Sequence, residues 1–172
     1  YNNDQEFLES YNTYHIPYIA SNSTLQMTFD HKDRLWVGTY FGGLQCIETK
    51  RQKVTIYHHD DNDSTSIASD VVWYVMTDSK DQIWLGTQQG VSRFNEKTKK
   101  FTNYTKHNTP MVNDNVRIVY EDKLGQYWFG TEDALYRLDT LQQFHEYTHE
   151  ISDPNSICNN WVVTISEDLN GA

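Results

Sequence analysis

The sequence predicts an all-β fold, a β-propeller fragment of about three to four four-stranded antiparallel blades. One short motif returns three times, at residues 35–39 (LWVGT), 83–87 (IWLGT) and 127–131 (YWFGT). Its tryptophans lie 48 and 44 residues apart, within the roughly 40–50 residues that one propeller blade occupies. The chain of 172 residues therefore holds nearly four repeats, and we expect some of them to be incomplete.

Each repeat has the pattern of a β-meander. In the second repeat, β-branched and aromatic residues at 71–78 lead into the turn-forming run 78–81 (DSKD). The motif itself forms the next strand, and two further apolar runs follow it. Applied to all three repeats, these criteria predict strands at 24–30, 35–39, 44–48 and 54–57, at 71–78, 83–87, 91–94 and 101–104, and at 116–122, 127–131, 135–138 and 144–147.

The repeat also predicts blade boundaries. Leu8 and Tyr11 match the apolar-x-x-Tyr pattern of the fourth strands, so residues 1–23 are interpreted as the last strand of a preceding blade plus a loop. Residues 149–172 are interpreted as a loop and the first strand, around 161–167, of a truncated following blade. The blades between them are predicted at 24–60, 61–105 and 106–148.

An open array of this kind exposes strand edges and apolar blade faces. We therefore expect the fragment to contact the remaining blades of a longer parent protein, and in isolation to associate with itself as a dimer.

The repeated positions are interpreted as scaffold. Because side chains alternate along a strand, Trp36 and Gly38 point to one face, where tryptophan covers the neighbouring blade and glycine lets it approach. An aspartate six residues before each tryptophan position is expected to bond turn amides, and Gly125 and Gly171 to adopt positive φ. The structural repeat positions are Trp36, Gly38, Thr39, Trp84, Gly86, Thr87, Trp128, Gly130, Thr131, Asp30, Asp78, Asp122 and Asp168.

Composition excludes several classes of function. The net charge of −10 argues against a nucleic-acid partner, because phosphate binding needs clustered Lys and Arg. An apolar run of transmembrane length is missing, so no membrane contact is predicted for this segment. Cys46 and Cys158 are expected to be unpaired buried thiols, since no Cys-x-x-Cys spacing exists. The sequence predicts no cofactor.

Catalytic and metal sites find little support. The run 58–63 (HHDDND) is rich in potential metal ligands, but adjacent side chains of an extended segment point apart, so we interpret it as a solvated loop. Nucleophile-elbow, phosphate-loop and zinc-protease motifs are missing. No catalytic residue is therefore predicted, although a carboxylate pair for glycoside cleavage stays open.

Ligand binding is predicted at one end of the blades. The connections from each fourth strand to the next blade are the longest, at 58–70, 105–114 and 148–160, and long loops concentrate function. In a propeller they share an end with the turns 40–43, 88–90 and 132–134.

Candidate ligand residues are those that depart from the repeat near this end. Trp73 and Trp161 lie near the starts of innermost strands, and Tyr40 and Phe41 occupy a turn with one extra residue. Flat aromatic faces cover the C–H side of a sugar ring, while Arg117 can bond its hydroxyls. These residues can therefore form a stacking surface for sugar rings. Packing between blades is the alternative role for these aromatic residues, and the sequence leaves it open.

The pattern Asp-x-x-[Gly/Asp]-x-[aliphatic/aromatic]-Trp-x-Gly-Thr, followed by Gly43-Leu44 or Gly90-Val91, resembles the two-component regulator propeller repeat. The segments 64–67 (STSI) and 153–157 (DPNSI) also resemble the stretch before strand one in that family. The third repeat departs from the pattern, because 132–135 (EDAL) lacks the expected glycine.

This resemblance implies a non-catalytic, periplasmic ligand-sensing segment of an inner-membrane hybrid sensor histidine kinase. In such Bacteroides-type proteins, oligosaccharide detection controls polysaccharide-utilisation genes. A protein-interaction scaffold and a propeller glycoside hydrolase are the alternative functions.

Overall fold

The computed structural model describes residues 20–51 and 53–168. They form three antiparallel sheets of four strands each and one short 3-10 turn, Thr49–Arg51. The strands are β1 (Thr24–Phe29), β2 (Arg34–Thr39), β3 (Leu44–Glu48), β4 (Lys53–Tyr57), β5 (Val72–Thr77), β6 (Ile83–Thr87), β7 (Gly90–Asn95), β8 (Lys100–Tyr104), β9 (Ile118–Glu121), β10 (Tyr127–Gly130), β11 (Leu135–Leu138) and β12 (Phe144–Tyr147).

Each sheet is a meander in which sequential strands are hydrogen-bonded neighbours. We call β1–β4 the first blade, β5–β8 the second and β9–β12 the third. The strands begin and end within two residues of the predicted positions. The predicted all-β propeller architecture is therefore confirmed.

Aromatic side chains on one face of each blade fill the gap to the next. Trp36 is fully buried, and its ring lies 5.0 Å from that of Phe94 in the second blade. Trp84 repeats the arrangement, with its ring 4.2 Å from that of Tyr127 in the third blade. Trp36 and Trp84 therefore each cover part of the neighbouring blade.

Glycine permits this close approach. A Cβ atom on Gly38 would lie 2.8 Å from a methyl carbon of Val75 in the second blade. A Cβ atom on Gly86 would lie 2.7 Å from the carbonyl oxygen of Val116 in the third. Such separations are shorter than van der Waals contact, so no larger residue fits without moving a blade.

The aspartates of the repeat accept hydrogen bonds both from the backbone of a turn and from a tryptophan side chain. Asp78 accepts the backbone N–H groups of Lys80 and Gln82 through Oδ1, which confirms the turn role predicted for this position. Its Oδ2 also accepts the indole N–H of Trp84 at 2.9 Å. The other two blades repeat this bond from Trp36 to Asp30 and from Trp128 to Asp122. The fixed spacing of six residues thus marks a direct contact.

The turns between first and second strands need a residue at positive φ. Gly125 has a φ of 74° in the third blade, as expected, and Asp33 and Asp81 have φ of 58° and 60° in the other two. Asparagine and aspartate tolerate this region better than other residues with a side chain. The prediction for Gly171 lies outside the described residues.

The strand predicted around 161–167 is not formed. The N–H of Val162 donates to the carbonyl oxygen of Thr131 at 2.9 Å, so this segment does meet the end of β10. No strand pairs with it among the described residues, however, and an isolated extended segment is not a sheet. The predicted strand around Leu8 and Tyr11 lies outside the described residues.

The two cysteines differ from expectation in one respect. Both are unpaired, but Cys46 is buried and Cys158 is exposed. Burial raises the pKa of the Cys46 thiol to about 11, so that thiol stays protonated. Within the described residues, no helix has the length and apolar character needed to cross a bilayer.

Candidate ligand-binding site

Trp73 is displaced from the regular strand pairing of the second blade. Val72 pairs with Thr87 and Tyr74 pairs with Gly86, which leaves Trp73 as the extra residue of a β-bulge. A bulge bends the strand and redirects the side chain of its extra residue. Leu25 occupies the corresponding bulge of the first blade. The local backbone therefore sets the direction of Trp73.

Two residues of the third blade hold the Trp73 ring. The guanidinium carbon of Arg117 lies 3.9 Å from the ring centroid, a cation–π stack. The indole N–H donates to Oδ1 of Asn115 at 2.7 Å. Arg117 in turn donates from Nη2 to Oε1 of Glu132 at 2.6 Å. The guanidinium is thus fixed between a carboxylate and an aromatic face.

Two aromatic residues of the first blade approach from the other side. The rings of Tyr40 and Trp73 are 5.8 Å apart, and those of Tyr40 and Phe41 are 4.4 Å apart. Tyr40 is 44% and Phe41 64% exposed. Phe41 has a φ of 62°, which is strained for a bulky residue. The extra residue in this turn therefore places an exposed aromatic pair beside Trp73.

We call these residues of three consecutive blades the Trp73 cluster. Its members are Tyr40, Phe41, Trp73, Asn115, Arg117 and Glu132. The cluster combines exposed aromatic faces with a fixed cation, an amide and a carboxylate. Such a surface can cover the apolar side of a flat ligand while bonding polar groups at its edge.

Trp161 is not part of this cluster. It is 60% exposed, and the structure places it on the extended segment beside β10. Its backbone N–H donates to Oδ1 of Asn159, but among the described residues no ring contact joins it to the other four predicted ligand residues. Four of the five candidates therefore converge, and the fifth lies apart.

Sequence reasoning did not include Asn115 and Glu132 among the ligand residues. Asn115 aligns with Trp161 and Val71 in the repeat, and Glu132 aligns with Gln88 in a turn that carries Ala134 where the repeat expects a glycine. Both are departures from the pattern, so the same criterion that selected Trp73 would have found them. Their contacts with Trp73 and Arg117 depend on the packing of two blades, which no local pattern reveals.

A histidine forms the same contacts in two of the three long connections. In the 58–70 connection, Nδ1 of His59 contacts the carbonyl oxygen of Ile67 at 2.7 Å, and its backbone N–H donates to Asp70. Ninety residues later in the sequence, His149 contacts the carbonyl oxygen of Ile157 and donates to Asn160 in the same way. His59, the second residue of the 58–63 run, therefore belongs to a loop scaffold that recurs at His149.

Electrostatics agree with this role of His59. Burial opposes its charged form, but the bonds to Ile67 and Asp61 outweigh that cost and raise its pKa. No group of three or more potential metal ligands exists in the part of the chain that the structure describes.

One known protein family matches the part of the chain that contributes Asn115, Arg117 and Glu132 to the Trp73 cluster. Residues 110–133 match the two-component regulator propeller family. The resemblance seen in the sequence is therefore confirmed over residues 110–133. The matched residues begin in the 105–114 connection and end just after Glu132, so the regulator propeller repeat contains the third-blade half of the Trp73 cluster. No curated protein sequence matches the chain.

Solved structures share the fold. The extracellular domain assigned to a hybrid two-component system of B. thetaiotaomicron superimposes over 89% of this chain with a TM-score of 0.72 and 21% sequence identity. This chain spans 20% of the length of that domain. A virginiamycin B lyase of Staphylococcus aureus, solved with quinupristin, matches over 78% of this chain and 42% of its own, with a TM-score of 0.59 and 18% identity. At these identities, the matches establish a shared fold.

Proposed function

We propose that this chain is a ligand-sensing propeller segment in the extracytoplasmic part of a hybrid two-component sensor histidine kinase. Its ligand is an oligosaccharide, and binding controls genes for polysaccharide use. The regulator propeller repeat at residues 110–133 supports the sensor assignment. The observation that carries the ligand assignment is the convergence of Tyr40, Trp73 and Arg117 from three blades.

The chemistry of the Trp73 cluster suits a sugar ring. A pyranose has an apolar C–H face and an edge of hydroxyl groups. Tyr40 and Phe41 offer exposed aromatic faces that can cover the C–H face of the sugar. Arg117, Asn115 and Glu132 offer hydrogen-bond donors and acceptors for its hydroxyl groups. Glu132 already holds the Arg117 guanidinium in place. The side chain of Arg117 therefore loses little conformational entropy when a ligand binds.

A sensor needs binding to change the arrangement of its parts. The Trp73 cluster draws residues from three blades, so a ligand that spans it favours one relative arrangement of those blades over others. Such differential affinity is what shifts a conformational equilibrium. This supports a binding role for the segment with no catalytic role of its own, because its repeated carboxylates, such as Asp78, are engaged in turns.

Calorimetric titration of the intact extracytoplasmic protein that carries this chain tests the proposal. The titrants are the disaccharides and hexasaccharides of the cello, xylo, malto and manno series. We expect saturable binding of at least one series. Trp73→Ala is expected to weaken that binding by about 30-fold, because truncating a central aromatic contact costs about 2 kcal/mol or more.

Matched variants separate the site from the scaffold. Tyr40→Ala is an exposed second variant of the cluster and should also weaken binding. Leu124→Ala removes an exposed apolar side chain in the turn at the opposite end of the third blade and should have no effect. Trp161→Ala is expected to have a smaller effect than Trp73→Ala. Capture of a protein partner without a response to any sugar would instead identify an interaction scaffold.

A further inference from the structure

A second polar surface lies at the same end of the blades as the Trp73 cluster. It is a groove of about 560 Å³ between the 58–70 and 105–114 connections, within the range of roughly 300–1,000 Å³ usual for ligand sites. We call it the loop groove. Its walls include His59, Ser64, Gln89, Lys106 and Asp114.

The loop groove and the Trp73 cluster use neighbouring residues of the chain. Asp114 lines the groove, and the next residue, Asn115, accepts the indole N–H of Trp73. On the inner side, Gln89 lines the groove, while its neighbour Gln88 donates its backbone N–H to the carbonyl oxygen of Val71, two residues before Trp73. On both sides of the groove, therefore, a groove residue is next in the chain to a residue that contacts Trp73 or its strand.

Asp114 is an incompletely bonded carboxylate. The residue is 9% exposed, yet its two contacts in the structure are long. Lys106 approaches it with Nζ at 3.8 Å and with the backbone nitrogen at 3.5 Å. A largely buried carboxylate normally accepts several good hydrogen bonds. Asp114 thus has acceptor capacity that a ligand rich in hydroxyl groups would fill.

The remaining groove residues match the same ligand class. The side chains of Gln89, Ser64 and Thr102 make no hydrogen bond within the described residues, and they supply both donors and acceptors. Nearly buried Phe101 and Ala68 form an apolar part of the wall. Lys106 offsets the charge of Asp114, so the groove suits a neutral, hydroxylated molecule.

We propose that the loop groove binds the further sugar units of an oligosaccharide whose first ring lies on the Trp73 cluster. This proposal rests on the proposed function of that cluster and extends it. The ligand then runs outward across the end of the second blade, from Trp73 past Asp114 towards His59. A site of this extent selects chain length in addition to sugar identity.

The test compares ligand lengths in the same intact protein, with the oligosaccharide series named above. We expect the hexasaccharide of the bound series to bind more tightly than the disaccharide. Asp114→Asn should weaken hexasaccharide binding by about tenfold or more, since bonds to a charged group are the stronger kind. Gln89→Ala should weaken it by about fivefold. Both variants should leave disaccharide binding within about twofold of wild type.

Gln88→Ala is the matched control, because it removes an exposed glutamine from the same turn that does not line the groove. Gln88→Ala should change neither the disaccharide affinity nor the hexasaccharide affinity. If Trp73→Ala abolishes binding but both groove variants leave the hexasaccharide affinity unchanged, the groove proposal is wrong and the cluster proposal stands. If no series binds, or if Trp73→Ala has no effect, the proposed function fails and the groove proposal fails with it.

Discussion

At the scale of single residues, Asp78 connects the second blade to the third. Its side chain is buried, and Oδ2 accepts both the indole N–H of Trp84 and the hydroxyl of Tyr127, the latter at 2.7 Å. Burial, and then the bond to Asp78, raise the pKa of Tyr127, which keeps the phenol protonated as a donor. One carboxylate therefore stabilises a turn, a tryptophan and a blade interface.

Asp78→Ala is expected to lower the free energy of unfolding by about 3–5 kcal/mol. The substitution leaves four donors without their acceptor, two of them on side chains in a buried interface, and each unsatisfied buried group costs about 1–3 kcal/mol. Urea denaturation followed by tryptophan fluorescence measures the change.

Asp122→Ala is the matched control in the third blade. Asp122 makes the same turn and tryptophan bonds, but it is only partly buried and no tyrosine hydroxyl is recorded on it among the described residues. Its loss is expected to cost about 1–3 kcal/mol. Equal effects of the two substitutions would show that the bond to Tyr127 contributes nothing.

At the scale of the elements, neighbouring blades meet where a glycine faces a strand. Gly86 lies in β6, and a Cβ atom there would lie 2.7 Å from the carbonyl oxygen of Val116. The obstacle is backbone, which cannot rotate away as a side-chain end can. Close contact between whole sheets therefore depends on one missing methyl group in each blade.

Gly86→Ala is expected to destabilise the protein by about 1–3 kcal/mol, the usual cost of overpacking. The melting temperature in circular dichroism should fall accordingly. Gly125→Asn is the matched control, because this glycine has open space around it and a φ that Asp33 and Asp81 adopt in the other blades. An unchanged melting temperature for Gly86→Ala would contradict the packing argument.

At the scale of the whole molecule, β1 of the first blade exposes a row of apolar side chains. Leu25, Met27 and Phe29 alternate along β1 and are 42%, 53% and 62% exposed, whereas Thr28 between them contacts Thr77 of the second blade. The corresponding residues of β5 pack against the first blade. This surface thus has the composition of a blade interface.

The chain of 172 residues is expected to dimerise through this face in sedimentation experiments. The Met27→Glu and Phe29→Glu double variant should sediment as a monomer, because it places two charges in the contact. Leu141→Glu, at an exposed position in the turn between β11 and β12, should leave the dimer intact. A monomeric wild-type chain would contradict the prediction.

Local sequence predicts most of the strands and four members of the Trp73 cluster, but it does not predict the contacts between them. The strands were predictable because Trp36, Trp84 and Trp128 recur with their turns. The segment around 161–167 is predicted as a strand because its residues suit one, yet a strand forms only when a neighbouring strand pairs with it. Likewise, nothing adjacent to Trp73 indicates that Arg117 stacks on it, since that contact arises from the approach of two blades.

The bulge at Trp73 marks a position at which the repeats can differ in sequence without a change in their fold. A residue outside the ladder of paired strands contributes little to the stability of the sheet, so substitutions at its position are tolerated. Leu25, Trp73 and Arg117 hold equivalent places in the three blades and share no chemistry. Duplication of one unit, followed by drift at this position, yields a different side chain from every copy. Identical units thereby evolve an asymmetric surface while their architecture stays constant.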